Sequence, residues 1–328
     1  MERWPADRPG HACGTDRRRE GPGKVVRRFQ ALQGNSSAAA DAIVSPERTG
    51  RWQGLSANNH QGRVDVRKLS TLILALAGMI LAAGGAAADG MTVRIATEGA
   101  YPPFNFVDKD GKLQGFDVDI ANALCEHMKA QCTIVAQDWD GIIPGLLAKK
   151  YDAIIASMSI TEERKKKVNF TDKYYNTPAR FVAKKGANIQ VTPAGLKGKR
   201  VGVQRATIHE NFVRATFPDA EVVVYDTTDN ANADLAAGRL DLRVDDSTAL
   251  EVGFLKTDSG KDFEFVGPGF FEPRAILGYG AGIAVRKEDT ALRDAFNKAL
   301  KDIRADGTYK KINDAYFSFD VYGPATGG

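Results

Sequence analysis

Between residues 92 and 316 the chain switches back and forth between two hydrophobic periods, and no other feature limits its fold as much. Apolar and polar residues alternate over 92–96 as in a strand. Over 116–128, Ile120, Ala121, Leu124 and Met128 then fall at helical spacing behind Asp117, expected to cap the helix. A strand over 132–135, a helix over 142–149 and a strand over 153–155 continue the series. A second set follows residue 175, with strands at 181–183, 200–203, 222–225 and 240–244 and helices at 207–217 and 229–237. A Gly-rich strand over 278–285 and helices over 290–305 and 308–316 come last. The expectation is an α/β fold with largely parallel sheets. Two such units with late helices left over suggest two lobes between which the chain passes more than once. Open sheets of this kind bind ligands beyond the carboxyl ends of their strands, where the turns after Ala96, Val135, Ile155, Val203 and Val244 gather.

What precedes this region changes the reading of the bulk charge. Residues 66–88 have the form of a secretory signal: Arg67 and Lys68, an apolar stretch over 72–83, then small residues up to a cleavage site after Ala87 or Ala88. The apolar stretch is too short to anchor the chain in a bilayer. Residues 1–65 lack periodicity and stand ahead of a segment that ought to begin a protein, so they are expected to be a disordered leader or to lie ahead of a true start near Val64 or Val66. They carry eleven Lys and Arg against seven Asp and Glu, and the signal adds two more basic residues. From Asp89 onward 32 basic residues face 34 acidic ones, so the net charge of +4 for the whole chain does not indicate a nucleic-acid partner.

Cys125 and Cys132 remain after processing, seven positions apart. In an oxidising compartment they read as a disulfide closing a helix end onto the next strand, with two buried thiols as the alternative. No histidine stands at metal-ligand spacing from either, and His127 and His209 are lone histidines. The densest chemistry lies in ASMSITEER, residues 156–164. Ser157 and Ser159 follow a strand, and Thr161 can cap a helix that carries Arg164 in its first turn. A guanidinium there can grip a carboxylate through two parallel hydrogen bonds. Taken alone, Ser-x-Ser before a helix is more often a cap than a site. Arg243, in an otherwise apolar strand, has no evident purpose beyond offsetting Asp245. Gly278, Gly280 and Gly282 have the wrong spacing for a dinucleotide loop and suit a hinge strand.

Five separated motifs carry a resemblance: TEGAYPPFNF (97–106), GFDVDIANALC (115–125), DAIIASMSITEER (152–164), GKRVGVQRATIHENF (198–212) and ADGTYKKINDAYFSFDVYG (305–323). They resemble the periplasmic proteins that bind lysine, arginine, ornithine and histidine for ABC importers, the solute-binding proteins of family 3, over nearly all of residues 91–323 and with the cysteine pair included. The motifs look most like those of arginine and ornithine binders.

The resemblance implies a bilobed clamp, with lobe 1 formed by residues 91–175 and 281–323 and lobe 2 by residues 176–280. It implies that Arg164 takes the ligand carboxylate with Ser159 and the backbone of Thr207. Asp246 takes the α-ammonium with Ser157 beside it, Tyr101 and Trp139 wall the side chain, and Glu98 faces a distal cation. Elementary chemistry agrees, because each charge of a buried zwitterion needs an opposite charge and an aromatic face favours a cation. Ala156, Glu98, Ile208 and His209 depart from the commonest pattern, which leaves histidine or an opine conjugate as further ligands. The implied protein is a periplasmic monomer without cofactor or metal, partnered by an inner-membrane ABC permease complex. Its rivals are a cyclohexadienyl-type dehydratase on the same scaffold, which needs a proton-donating acid in the cleft, and a sensory protein that serves a chemoreceptor or kinase.

Overall fold

The computed structural model describes residues 90–323; the leader expected over 1–65 and the signal expected over 66–88 lie outside the described residues. In the first sheet, β1 (Thr92–Thr97) pairs in parallel with β5 (Gln131–Ala136) and β6 (Ala153–Ile154). It is completed by β13 (Ala281–Val285), antiparallel to both β6 and β7 (Asn169–Tyr175). A three-stranded sheet of β2 (Ala100–Tyr101), β3 (Asn105–Val107) and β4 (Leu113–Gln114) follows β1. In the second five-stranded sheet, β9 (Arg200–Gln204) lies parallel between β10 (Glu221–Tyr225) and β11 (Leu242–Asp246). There β8 (Ala179–Lys184) runs antiparallel between β11 and β12 (Phe263–Phe270).

The sheets are therefore mixed rather than largely parallel, and the reason is the same in both. Strands β8 and β13 are those by which the chain enters from the other sheet. They arrive without a covering crossover helix, so they insert in the reverse direction. The crossings are residues 176–178 and 278–280. The strand expected over 278–285 begins only at Ala281 because Gly278 and Gly280 have φ of 84° and 97°. A Cβ on Gly280 would stand 2.6 Å from the Tyr175 carbonyl oxygen, so the two crossings pack against each other where only glycine fits.

Helices cover both faces of each sheet. Helices α1 (Phe116–His127), α8 (Thr290–Ala305) and α9 (Thr308–Tyr316) bury Ile120, Leu124, Phe296, Leu300, Ile303 and Tyr309 against β1 and β13. The other face takes Ile142 and Leu146 of α2 (Trp139–Leu147). The second sheet is covered by α4 (Ile208–Thr216) through Phe212 and Val213, with α7 (Arg274–Leu277) adding Leu277, and by α5 (Thr228–Ala236) through Leu235. Cys125 of α1 and Cys132 of β5 form a disulfide. Asp117 does not cap α1. The cap position is Gly115, at φ 118°, where a Cβ would meet the Phe104 carbonyl at 2.4 Å, and Asp117 in the first turn is directed into the core.

Candidate functional site

The carboxyl ends of the first sheet's strands supply one wall. Glu98 follows β1, Tyr101 lies on β2, and Trp139 opens α2. The loop after β6 bears Ser157, at φ 55°, and Ser159. Thr161 caps the short helix α3 (Glu162–Lys165) by accepting the Arg164 N–H at 3.2 Å, and this turn presents the Arg164 side chain. Asp117 holds the loop from behind. Its carboxylate accepts from the hydroxyls of Ser157 (2.9 Å) and Tyr174 (2.8 Å) and from Asn105 Nδ2 (2.8 Å). Burial pushes its pKa up to about 6 against these three bonds. The Ser157 hydroxyl spends its only proton on Asp117, so towards the cavity it can only accept, which suits an ammonium.

The second sheet supplies the facing wall. Thr207 caps α4, accepting from the Glu210 N–H and donating to the Gln204 carbonyl, so its hydroxyl is occupied and the first N–H groups of the helix are what it offers an anion. Strand β11 ends in two adjacent acids with different duties. Asp245 is engaged by the protein's own charge: it pairs with Arg243 and accepts from the Tyr101 hydroxyl (2.6 Å) and the Asp246 N–H (2.8 Å), and His209 Nδ1 lies 3.3 Å away. Asp246 caps α6 (Ser247–Leu250) by accepting from the N–H groups of Thr248 (2.8 Å) and Ala249 (3.3 Å), and it also takes the Thr177 hydroxyl. A carboxylate has about four lone-pair directions, so at least one remains for a further donor. Burial drives the Asp246 pKa to about 7.

All eight residues singled out from the sequence, Glu98, Tyr101, Trp139, Ser157, Ser159, Arg164, Thr207 and Asp246, line one cavity between these walls. Its space, open mouth included, is about 710 Å³, ample for a small molecule. Bonds run directly across it: Gln204 Nε2 donates to Glu98 (2.6 Å), and the Trp139 indole N–H to the Ala206 carbonyl (3.3 Å). Burial raises Glu98 to about 7, and nearby Asp245, Asp138 and Asp229 add to the rise. Arg164 donates to the carbonyls of Ser159 (3.0 Å) and Ala206 (3.5 Å), and its guanidinium lies 5.2 Å from the centre of the Trp139 ring. It has no carboxylate partner among the described residues, and burial lowers its pKa to about 10. Trp139 thus supports Arg164 as well as forming a wall.

Gln204, His209 and Asp245, to none of which the sequence analysis assigned a ligand contact, also line the cavity. Their signal was positional, since all three stand at or just beyond the carboxyl ends of β9 and β11. His209 is neutral at ordinary pH because burial lowers its pKa.

The sequence profile of the bacterial extracellular solute-binding proteins, family 3, matches residues 93–319. The chain is 54% identical over 260 residues to the L-arginine-binding protein of Pseudomonas aeruginosa, covering 79% of this chain and 99% of that protein. It is 45% identical over 259 residues to the lysine/arginine/ornithine-binding periplasmic protein of Escherichia coli, covering 78% and 99% respectively. Among solved structures, a Salmonella typhimurium periplasmic binding protein described for high arginine specificity superposes with a TM-score of 0.65. Its identity is 36%, over 70% of this chain and all of its own.

Proposed function

The chain belongs to the bacterial extracellular solute-binding proteins, family 3, and on that premise we propose that it captures a cationic L-amino acid in the periplasm and hands it to an ABC permease. The observation that carries this reading is a charge count. The cavity holds one guanidinium with no carboxylate beside it, Arg164, and two carboxylates with no cation beside them, Glu98 and Asp246, while Asp245 is cancelled by Arg243. A guest that completes all three carries one negative and two positive groups, which describes arginine, ornithine or lysine. Each charge left unmatched in a space shielded from water costs several kcal/mol, so the pattern selects as well as binds.

Arg164 and the first turn of α4 take the carboxylate. Asp246 and the acceptor-only hydroxyl of Ser157 take the α-ammonium, and Glu98 takes the distal cation between Tyr101 and Trp139. Lobe 1 comprises residues 91–175 and 281–323, lobe 2 residues 176–280, and the ligand touches both. Export follows cleavage after Ala87 or Ala88, the exported protein acts as a monomer, and no bond of the ligand is broken. A dehydratase needs a cavity acid left free to donate a proton, whereas this reading assigns both unpaired acids, Glu98 and Asp246, to the two cations of the ligand.

Titration calorimetry tests the assignment. The wild type binds L-arginine and binds citrulline, of similar shape but with an uncharged side chain, more weakly. Arg164→Ala loses at least about 3 kcal/mol because it strands a carboxylate in the cleft. Wild-type affinity in that variant refutes the carboxylate site, and equal affinity for citrulline refutes the role of Glu98.

A further inference from the structure

Arg243 and Asp245 stand two residues apart on β11, so both side chains fall on one face of the strand. Arg243 is 1% exposed in a strand that sequence alone would make apolar. A buried ion pair contributes little net stability over apolar residues of the same size. Stability alone therefore gives weak grounds for its presence, but its contacts extend beyond the strand. Asn232 of α5 holds Arg243, and the far side of Asp245 receives the Tyr101 hydroxyl from β2 at 2.6 Å. The Tyr101 ring stacks on Phe104 at 5.8 Å between centres, and Phe104 stacks on Tyr175 at 4.5 Å, all within the core of the first sheet. The ring is thus anchored in one lobe and its tip is held by the other. Burial keeps the phenol well above its ordinary pKa, so the hydroxyl stays a donor.

We propose that Asp245, fixed by Arg243, is a positioning residue that catches the Tyr101 hydroxyl when the lobes meet and so sets how long the closed cavity retains its ligand. This rests on the reading of the cavity as an amino-acid site. Asp245 is held by Arg243, the Tyr101 hydroxyl and the Asp246 N–H and leaves the ligand to Asp246, whose charge no protein cation matches. Tyr101 and Asp245 belong to different lobes, so the bond is lost when the lobes part, and its effect falls on release rather than on capture.

Stopped-flow binding of L-arginine to the exported protein tests the catch. Four forms are compared: wild type, Tyr101→Phe, the pair Arg243→Met with Asp245→Ala, and all three substitutions together. Phenylalanine keeps the ring, and the paired change leaves no lone buried charge. The dissociation rate of Tyr101→Phe rises about tenfold, the scale of a hydrogen bond to a charged acceptor, while its association rate moves less than about twofold. The triple form releases no faster than the pair, because both changes remove one contact. An unchanged dissociation rate in Tyr101→Phe, equal changes in both rates, or additive effects overturn the catch. Should the paired form not fold, the two rates of Tyr101→Phe decide alone. A wild type that does not retain arginine overturns the amino-acid reading itself, and with it the catch.

Discussion

Glu98 and Asp246 are acids in a place short of water and of cations, and both are held near pKa 7 chiefly by burial. The sign of the consequence differs between free and liganded protein. In the free protein the folded state keeps protons that the unfolded chain releases in the ordinary carboxylate range. The contribution of these two groups to stability is therefore greatest at low pH and declines as pH rises towards 7. On the proposed reading a cationic ligand needs both groups ionised, so its affinity moves the other way, falling below pH 7 by up to about tenfold per pH unit for each group, about a hundredfold for the two together. Binding near pH 6.5 releases protons, visible as a dependence of the calorimetric enthalpy on buffer. Arginine affinity that is flat between pH 5.5 and 8 removes both carboxylates from the ligand. Residue types after a strand were enough to single out Arg164, whereas Glu98 and Asp246 were named only through the family resemblance. Partnership was not legible: nothing in VDDS says that Asp245 is cancelled and Asp246 left open, because that depends on Arg243, Tyr101 and the start of α6. Asp117 was misread for the same reason, since an acid in a first turn looks like a cap until Ser157, Tyr174 and Asn105 are seen to converge on it.

Elements with a single clear period were legible to within a few residues. Helices α8 and α9 have apolar faces at every turn, and the expected limits, 290–305 and 308–316, coincide with the observed ones. Strands β7 and β12 were missed. Both are edge strands, and β12 carries Pro268 with a register shift between Val266 and Phe270, so neither alternates cleanly. Strand direction is not encoded in periodicity at all, which is why the antiparallel β8 and β13 came only from the structure. The disulfide joins the end of α1 to the start of β5, whereas the cavity lies beyond the opposite end of that strand. Replacing both Cys125 and Cys132 with alanine therefore costs about 2 kcal/mol of stability in urea denaturation, from the short loop it closes. Arginine affinity stays within about twofold. A large loss of affinity would mean that β5 transmits strain to Trp139.

At the scale of the molecule, the described chain passes between two groups of elements at residues 176–178 and 278–280, and both contribute walls to one cavity. A ligand that touches one wall alone binds equally well whether the walls are apart or together, and so cannot shift that balance. On the proposed reading closure is driven by contacts to the second lobe, and Asp246 supplies the charged one. Trp139 is the only tryptophan among the described residues, and its indole bonds across the cleft to Ala206, so its fluorescence reports closure. Saturating arginine is expected to change that signal and reduce the radius of gyration in small-angle scattering, and Trp139→Phe to abolish the fluorescence change. Asp246→Asn keeps a good cap for α6 but removes the charge that faces the ammonium. At saturating arginine it remains partly open, with a smaller change in both observables. If Asp246→Asn closes as fully as the wild type once filled, the second lobe is drawn in by something other than the ammonium, and the helix start at Thr207, with the ligand carboxylate, becomes the driver to test next.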